Sequence, residues 1–182
     1  KTSLRTDYAY AKTNSVESEN RMVNGVTQDW GTGDTKFSGV FVRGTGELDQ
    51  FRAYDYRLNV AGGGRYQIVK DDKTDSLLRI GVSATREFGS MREDWVPEGA
   101  FFLSLSHILT TKQKLTANVD YFPELENPDK YRVTARATWD YTLDQENGLS
   151  LRIGAENRYD SRIEDAKDRN DLDIRAELVW QF

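Results

Sequence analysis

The sequence predicts an all-β fold: a closed, antiparallel transmembrane β-barrel of about ten strands, with residues 1–182 forming a single domain. Three observations predict it. Apolar and polar residues alternate along ten segments, which is the pattern of a sheet with one apolar face. The connections between the segments alternate between long and short, and the outward-facing aromatic residues fall at two levels.

The first four segments cover residues 4–11, 21–30, 37–42 and 54–68. In the third, Phe37, Gly39 and Phe41 are expected to share one face, because they stand at alternate positions. The fourth contains the run Gly62-Gly63-Gly64, which suits a place where a barrel wall bends sharply. A flexible break in the chain is the alternative interpretation of this run.

The other six segments cover residues 78–87, 101–109, 115–121, 131–141, 149–159 and 171–182. The eighth is the most regular, because Val133, Ala135 and Ala137 alternate with polar residues along it. The last carries Leu178 and Trp180 on its apolar face and ends without a polar tail. None of the segments has a convincing helical period, so strands are expected throughout.

Long connections are expected after the odd-numbered strands and short ones after the even-numbered strands. The long ones are residues 14–20, 44–50, 89–98, 123–130 and 160–170. All three prolines of the chain fall in this long set. In outer-membrane barrels the short turns are periplasmic, and an even number of strands leaves both termini on that side.

The outward-facing aromatic residues predict two girdles at the membrane interfaces. With the short turns placed at the bottom, the lower girdle holds Trp30, Phe37, Tyr66, Trp139, Tyr141, Trp180 and Phe182. The upper girdle holds Tyr8, Tyr10, Tyr54, Tyr56, Phe101, Tyr121, Tyr131 and Tyr159. Amphipathic rings concentrate at the two interfaces of a bilayer, whereas a soluble lipocalin-like barrel has no reason to sort them by height.

Composition excludes several classes of protein. The chain has no cysteine, which excludes disulfides and thiolate metal sites, and its net charge of −5 argues against nucleic acid as a partner. No run of apolar residues is long enough for a spanning helix. No phosphate-binding glycine loop and no metal-ligand spacing is present, so no cofactor is expected. Lys1 lies almost inside a strand pattern, so we expect an amino terminus that is either trimmed or incomplete.

Charged residues on the polar faces predict a barrel interior lined by ion pairs. This lumen set consists of Arg5, Arg57, Arg65, Arg79, Arg132, Arg136, Arg152, Arg158, Arg175, Asp7, Asp55, Glu87, Asp120, Asp140, Glu156, Asp173 and Glu177. Arginine suits such an interior, because it pairs with carboxylates through two parallel hydrogen bonds and stays protonated. The set is compatible with a cross-linked ionic plug and with a narrow channel that conducts small anions or oligomeric acids.

An enzyme is not expected. The single histidine, His107, falls on the apolar face between Leu105 and Leu109, while Ser104 and Ser106 point to the other face. No nucleophile and base are therefore placed together. The acidic loop pairs Glu93-Asp94 and Glu164-Asp165 are expected to form a solvated rim, or alternatively to hold divalent cations against lipopolysaccharide phosphates.

The chain resembles the salt-induced outer membrane protein family of Gram-negative bacteria, whose function is unknown. Residues 55–58 leading into 62–66, together with 157–161 and the ending 178–182, support this resemblance. The family's usual Ser-Gly-Asn-Thr turn after the first strand is here Lys12-Thr13-Asn14-Ser15. The resemblance implies a barrel in the bacterial outer membrane and brings no established activity or catalytic residue.

The last strand also resembles the carboxy-terminal signature of bacterial outer-membrane proteins. The final aromatic residue of that signature, here Phe182, is read by the outer-membrane insertion machinery. The expected partners are therefore this machinery, outer-membrane lipid and lipopolysaccharide.

Two classes of function follow for a barrel of this kind. The first is a non-catalytic barrel, acting either as a narrow small-solute or ion channel or as an envelope-stabilising barrel with a charge-plugged lumen. The second is an interaction module that docks a protein partner in a larger outer-membrane assembly. A lipid-modifying barrel enzyme is a third and weaker possibility.

Overall fold

A computed structural model of the chain describes residues 1–13, 16–31, 37–52, 54–90, 93–163 and 169–180. These residues form an all-β fold in which ten antiparallel strands make one curled, half-barrel sheet. Every strand pairs with its neighbours in the chain, so the strand order in the sheet is the sequence order. The described residues contain no helix that is long and apolar enough to cross a membrane.

The strands lie where the alternating patterns predict them, and most extend further at one or both ends. They are β1 (Thr2–Thr13), β2 (Val16–Trp30), β3 (Phe37–Asp49), β4 (Tyr56–Lys70), β5 (Thr74–Phe88), β6 (Val96–Thr110), β7 (Gln113–Pro123), β8 (Tyr131–Asp144), β9 (Leu149–Asp160) and β10 (Asn170–Trp180). The predicted antiparallel all-β architecture is therefore confirmed, with the predicted number of strands.

Three of the predicted long connections are shorter than expected. Only residues 14–15 separate β1 from β2, β3 continues to Asp49, and β6 already begins at Val96. The stretch before Asp49 reads as a loop because it is polar and rich in glycine, but its alternate acidic residues face arginines on the inner side of the sheet. Pro97 and Pro123 consequently lie near strand ends, where proline is tolerated.

A register shift between Phe37 and Gly39 separates two phenylalanines that the alternation places together. Phe37 is 53% exposed, whereas Phe41 is 1% exposed and lies on the inner face. The expectation that Phe37, Gly39 and Phe41 share a face is therefore wrong. The physical reason is the irregularity at Gly39. Its φ of 134° is a backbone conformation that glycine adopts far more readily than other residues do.

The two faces of the sheet differ in chemistry. The outer face carries exposed aliphatic residues such as Val82, Leu103 and Ile153. The buried apolar cluster on the inner face is small and consists of Phe41, Ala61, Ala100 and Phe102, with Phe122 packed against it. Most of the remaining inner face is polar or charged, so the distribution is the reverse of that in a soluble domain.

The edge strands β1 and β10 are not paired with each other in the described part of the chain. Their apolar residues are accordingly among the most exposed, with Leu4 at 81% and Leu178 at 71%. The sheet is thus a half-barrel as it stands, and its closure into a barrel stays a prediction.

The glycine run in β4 lies inside a continuous strand, which excludes the flexible break. Gly63 pairs with Gly81 of β5, and the two backbones approach closely there. A Cβ atom added at Gly63 would overlap the carbonyl oxygen of Ile80. Likewise, a Cβ atom added at Gly81 would overlap the carbonyl oxygen of Gly62. Only glycine permits this close approach of the two strands.

We therefore expect Gly63→Ala to lower the free energy of unfolding by about 1–3 kcal/mol, because the strands must move apart to admit the methyl group. Gly62→Ala is the matched control, since a Cβ there would meet its nearest atom, the Phe41 carbonyl oxygen, at an ordinary 3.5 Å. Urea titration of the refolded chain in detergent measures both. Equal stability of the two variants would contradict the close approach.

Candidate functional site

The candidate site is the inner face of the curled sheet, where charged side chains from most of the strands meet. The period of two points these side chains inward while their chain neighbours point outward. Their ion pairs fall into three groups: one near the connections 50–55 and 161–169, one across the middle of the sheet, and one near the short turns.

The first group centres on Arg57 of β4. Its guanidinium lies 2.7 Å from Glu87, 3.5 Å from Glu47 and 3.4 Å from Asp160. Arg162, beyond the end of β9, lies 2.6 Å from Asp160 and 2.9 Å from Glu87. This group therefore joins β3, β4, β5 and β9 through shared carboxylates.

The second group crosses the concave side of the sheet between strands that are not neighbours. Arg21 of β2 lies 3.0 Å from Glu156 of β9, although the two are 135 residues apart in the chain. Arg43 of β3 lies 3.0 Å from Asp120 of β7. The curl of the sheet is thus tight enough to bring its two halves into direct ionic contact.

Glu98 and Arg132 form the most deeply buried pair. The side chain of Glu98 is 0% exposed, and its Oε2 accepts a hydrogen bond from Arg132 at 2.8 Å and one from the Thr85 hydroxyl at 2.5 Å. Arg132 also donates to the Thr85 hydroxyl at 3.0 Å. These contacts leave the buried carboxylate with partners on two other strands, β5 and β8.

The third group lies towards the short turns. Arg79 of β5 binds Asp29 of β2 at 2.7 Å, and Arg152 of β9 binds Asp140 of β8 at 2.6 Å. Both residues of the second pair line an open cavity of about 350 Å³, together with Lys114. The interior is therefore roomier at this end than near Arg57, where the cavity measures about 60 Å³.

Phenylalanine rings fill part of the interior between these groups. The rings of Phe41 and Phe102 meet edge to face with centroids 5.6 Å apart, and Phe122 contacts Phe102 at 5.3 Å. The Arg43 guanidinium lies 4.5 Å from the centroid of Phe102. Apolar rings and ion pairs thus block the middle of the interior together.

Tyr54 lies inside the sheet, not in the upper girdle where the sequence places it. It is 5% exposed, and the Arg57 guanidinium stacks over its ring at 4.1 Å. The reason is that Tyr54 precedes β4 in the connection 50–55, so strand alternation does not set its direction. Burial raises the pKa of the Tyr54 hydroxyl above its usual value, so this group stays protonated.

The structure brings most of the sequence-derived lumen set into the three ionic groups. The members found there are Arg57, Arg65, Arg79, Arg132, Arg136, Arg152, Arg158, Glu87, Asp120, Asp140 and Glu156. On the exposed edge strands, Arg5 pairs locally with Asp7, and Arg175 pairs locally with Asp173.

Two members of the lumen set stand apart. Asp55 is exposed in the connection before β4, where it lies against Gly89. The prediction that Asp55 faces the lumen fails because the strand begins only at Tyr56. Glu177 lies on β10 opposite Arg152 in register, and no ion pair joins it in the described ranges.

Sequence reasoning missed several residues of the ionic interior. These are Arg21, Asp29, Arg43, Glu47, Asp49, Glu98, Asp160 and Arg162. Glu47 and Asp49 continue the period of two that starts at Arg43, which is the signal that would have found them. Arg162 has no such signal, because it lies beyond the end of β9.

Aromatic residues on the outer face form contacts at two levels. Near the long connections, ring contacts run from Phe101 through Tyr121 and Tyr131 to Tyr159, with centroids 5.5–5.8 Å apart. Tyr56 contacts Phe88 at the same end. Near the short turns the contacts are Phe37 with Tyr66 and Trp139 with Tyr141. Trp30 and Trp180 are exposed, and Phe182 lies outside the described residues.

His107 is a packed residue of the outer face. Its Nδ1 lies 2.9 Å from the Thr74 hydroxyl, and its neighbour Ser106 lies opposite Asp75 on the inner face. Over the part of the chain that the structure describes, no histidines and carboxylates converge as metal ligands. The contacts that the structure shows at the site are ion pairs and ring contacts.

Comparison with known proteins corrects one expectation. Residues 1–182 match the family described as "Protein of unknown function, DUF481". The resemblance to the salt-induced outer membrane protein family is therefore wrong. The motifs that suggested it consist mostly of the alternating residues and turn residues that many β-barrel sequences share. No curated protein and no solved structure matches the chain.

Proposed function

Since the chain belongs to DUF481, a family whose function is unknown, we propose a function from the geometry of the two faces of the sheet. The chain is a closed ten-stranded β-barrel of the bacterial outer membrane whose interior is blocked by ion pairs. It acts as a non-catalytic structural barrel of the envelope. Its implied partners are outer-membrane lipid, lipopolysaccharide and the insertion machinery.

The arrangement of the two faces supports the membrane location. The outer face of the sheet is mostly aliphatic or small between its two levels of aromatic contacts, while arginines and carboxylates line the inside. A soluble monomer rarely exposes so large a continuous apolar surface, whereas a barrel wall in lipid requires one.

The cross-sheet ion pairs support closure. Arg21 and Glu156 already hold β2 against β9, so the remaining gap lies between β1 and β10 only. Both edges carry exposed outward apolar residues, including Leu4 on β1 and Ile174 on β10. An open sheet edge in lipid would leave backbone groups without partners, so pairing of these two strands is strongly favoured there.

The same ion pairs favour a plugged barrel over a channel. The Arg21–Glu156 and Arg43–Asp120 contacts span the interior, and the Phe41–Phe102 ring pair adds an apolar barrier beside them. An ion moving through would have to displace paired charges, which costs several kcal/mol for each buried pair that is broken.

We therefore expect the refolded chain to show no steady current in a planar lipid bilayer. The double variant Arg21→Ser/Arg43→Ser removes two of the guanidiniums that cross the middle of the sheet and should open a conducting path. That path should select cations, because the interior loses two positive charges and Arg136 is then shared between the carboxylates of Glu156 and Asp120. Single-channel recording measures both the current and its selectivity.

The control for this experiment is Arg5→Ser, which removes an arginine from an exposed local pair on the edge strand β1. It should leave the bilayer silent. Steady anion-selective current from the unmodified chain would contradict the plugged barrel and support the narrow channel instead.

A docking role is the second candidate, and exposed apolar residues in the long connections favour it. Phe51, Trp95 and Leu125 are about half exposed and come from three connections at the same end of the sheet. Mild extraction of the tagged chain from the outer membrane tests it. A partner recovered in stoichiometric amount, and lost with Phe51→Ser/Leu125→Ser, would support docking.

A further inference from the structure

Arg86 is a charged residue on the outer face of the sheet, where its neighbours on that face are uncharged. It pairs in register with Leu58 of β4, while its neighbours Thr85 and Glu87 point inward to Asn59 and Arg57. Two positions further along the strand, Phe88 contacts Tyr56 in the upper aromatic level of the outer face. Arg86 therefore lies on the outer wall, just below that level.

Its charge sets Arg86 apart from the other outward residues of the described strands β3–β10. The outward positions of the described strands β3–β10 that lie between the two aromatic levels hold aliphatic, small or uncharged polar residues, apart from Arg86. The Arg86 side chain is half-buried, and its guanidinium lies 4.8 Å from the centroid of the Phe88 ring. The side chain thus reaches up along the wall towards the aromatic level.

Within the part of the chain that the structure describes, Arg86 has no ion-pair partner. Its Nε is buried without a hydrogen-bond acceptor, and no carboxylate of the described residues pairs with its guanidinium. The interior arginines at the same height, such as Arg57 and Arg132, each contact at least one carboxylate. An unpaired guanidinium beside hydrocarbon is costly, so an external anion is the natural partner.

We propose that Arg86 is the centre of a lipid-binding site on the outer wall, and that it holds a phosphate group of lipid A. This inference rests on the proposed membrane barrel. The long connections then face outwards, and the upper aromatic level lies where the outer leaflet carries the phosphates of lipopolysaccharide. The guanidinium offers a planar pair of donors that fits a phosphate, and the Phe88 and Tyr56 rings border the site.

The test uses the full chain in phosphatidylcholine nanodiscs that contain a small fraction of diphosphoryl lipid A. After release into a mild detergent, native mass spectrometry measures how much lipid A stays bound. Arg86→Gln should reduce the retained fraction about tenfold, because a charge-assisted hydrogen-bonded contact is lost. Arg86→Lys should retain an intermediate amount, and fully dephosphorylated lipid A should not be retained by any variant.

Lys130→Gln is the matched control, because it removes an exposed cation beside Tyr131 at the same end of the sheet. It should bind lipid A as the unmodified chain does. Equal retention by the unmodified chain and Arg86→Gln would overturn the site, as would preference for phosphatidylglycerol over lipid A. Failure of the proposed barrel is distinguishable, since the chain would then not enter the nanodiscs at all.

Discussion

Glu98→Ala is expected to lower the free energy of unfolding by about 3–5 kcal/mol, because it leaves a buried guanidinium without its counter-charge. Glu98 is fully buried, and its carboxylate accepts hydrogen bonds from the Arg132 guanidinium at 2.8 Å and from the Thr85 hydroxyl. Arg132 has no second carboxylate among its ion pairs in the described ranges. Urea-induced unfolding in detergent micelles, followed by tryptophan fluorescence, measures the change.

A double variant separates the pair from its individual charges. Glu98→Leu combined with Arg132→Met removes both charges, and a well-packed apolar replacement of a buried ion pair is often neutral or stabilising. The double variant should therefore recover most of the stability that Glu98→Ala loses. If Glu98→Ala is as stable as the unmodified chain, the carboxylate is not buried against Arg132 and the ionic interior is misassigned.

Phe102→Ala is expected to cost about 3–5 kcal/mol, the usual range for removing a buried phenylalanine. The ring is 3% exposed, and it contacts Phe41, Phe122 and the Arg43 guanidinium at once. Its removal leaves a cavity in the middle of the interior that its neighbours on separate strands cannot collapse to fill. The same unfolding experiment measures the loss.

Phe101→Ala is the control, since this neighbouring ring faces outwards, is 37% exposed and contacts Tyr121. Lipid or detergent can occupy the space that its removal leaves, so its cost should be clearly smaller than that of Phe102→Ala. The reverse order would mean that the faces of β6 are assigned the wrong way round.

Alternation alone was sufficient to place the ten strands, because each strand has one apolar and one polar face and the period of two marks it. It failed where a local feature interrupts the period. The register shift at Gly39 turned Phe41 inward, and the connection before β4 carried Tyr54 to the inner side. Irregularities of this kind depend on tertiary contacts that a pattern of residues does not contain.

The partners within the ionic interior were beyond sequence reasoning for a different reason. Arg21 contacts Glu156 only because the sheet curls, and that curl is the sum of twist over all the intervening strands. Glu98 was assigned to a loop because it follows Pro97, although the strand already includes both. The types of residue inside were therefore predictable, while their pairing was not.

Site-directed spin labelling of β8 tests most directly whether the outer face contacts lipid. The chain has no cysteine, so Ala137→Cys on the outer face and Thr138→Cys on the inner face each give a single label. In lipid vesicles we predict that the label at position 137 is accessible to oxygen and shielded from a water-soluble nickel complex, while the label at 138 is not oxygen-accessible. A label at 137 that the nickel complex reaches freely, in a chain folded without detergent, would contradict the membrane barrel.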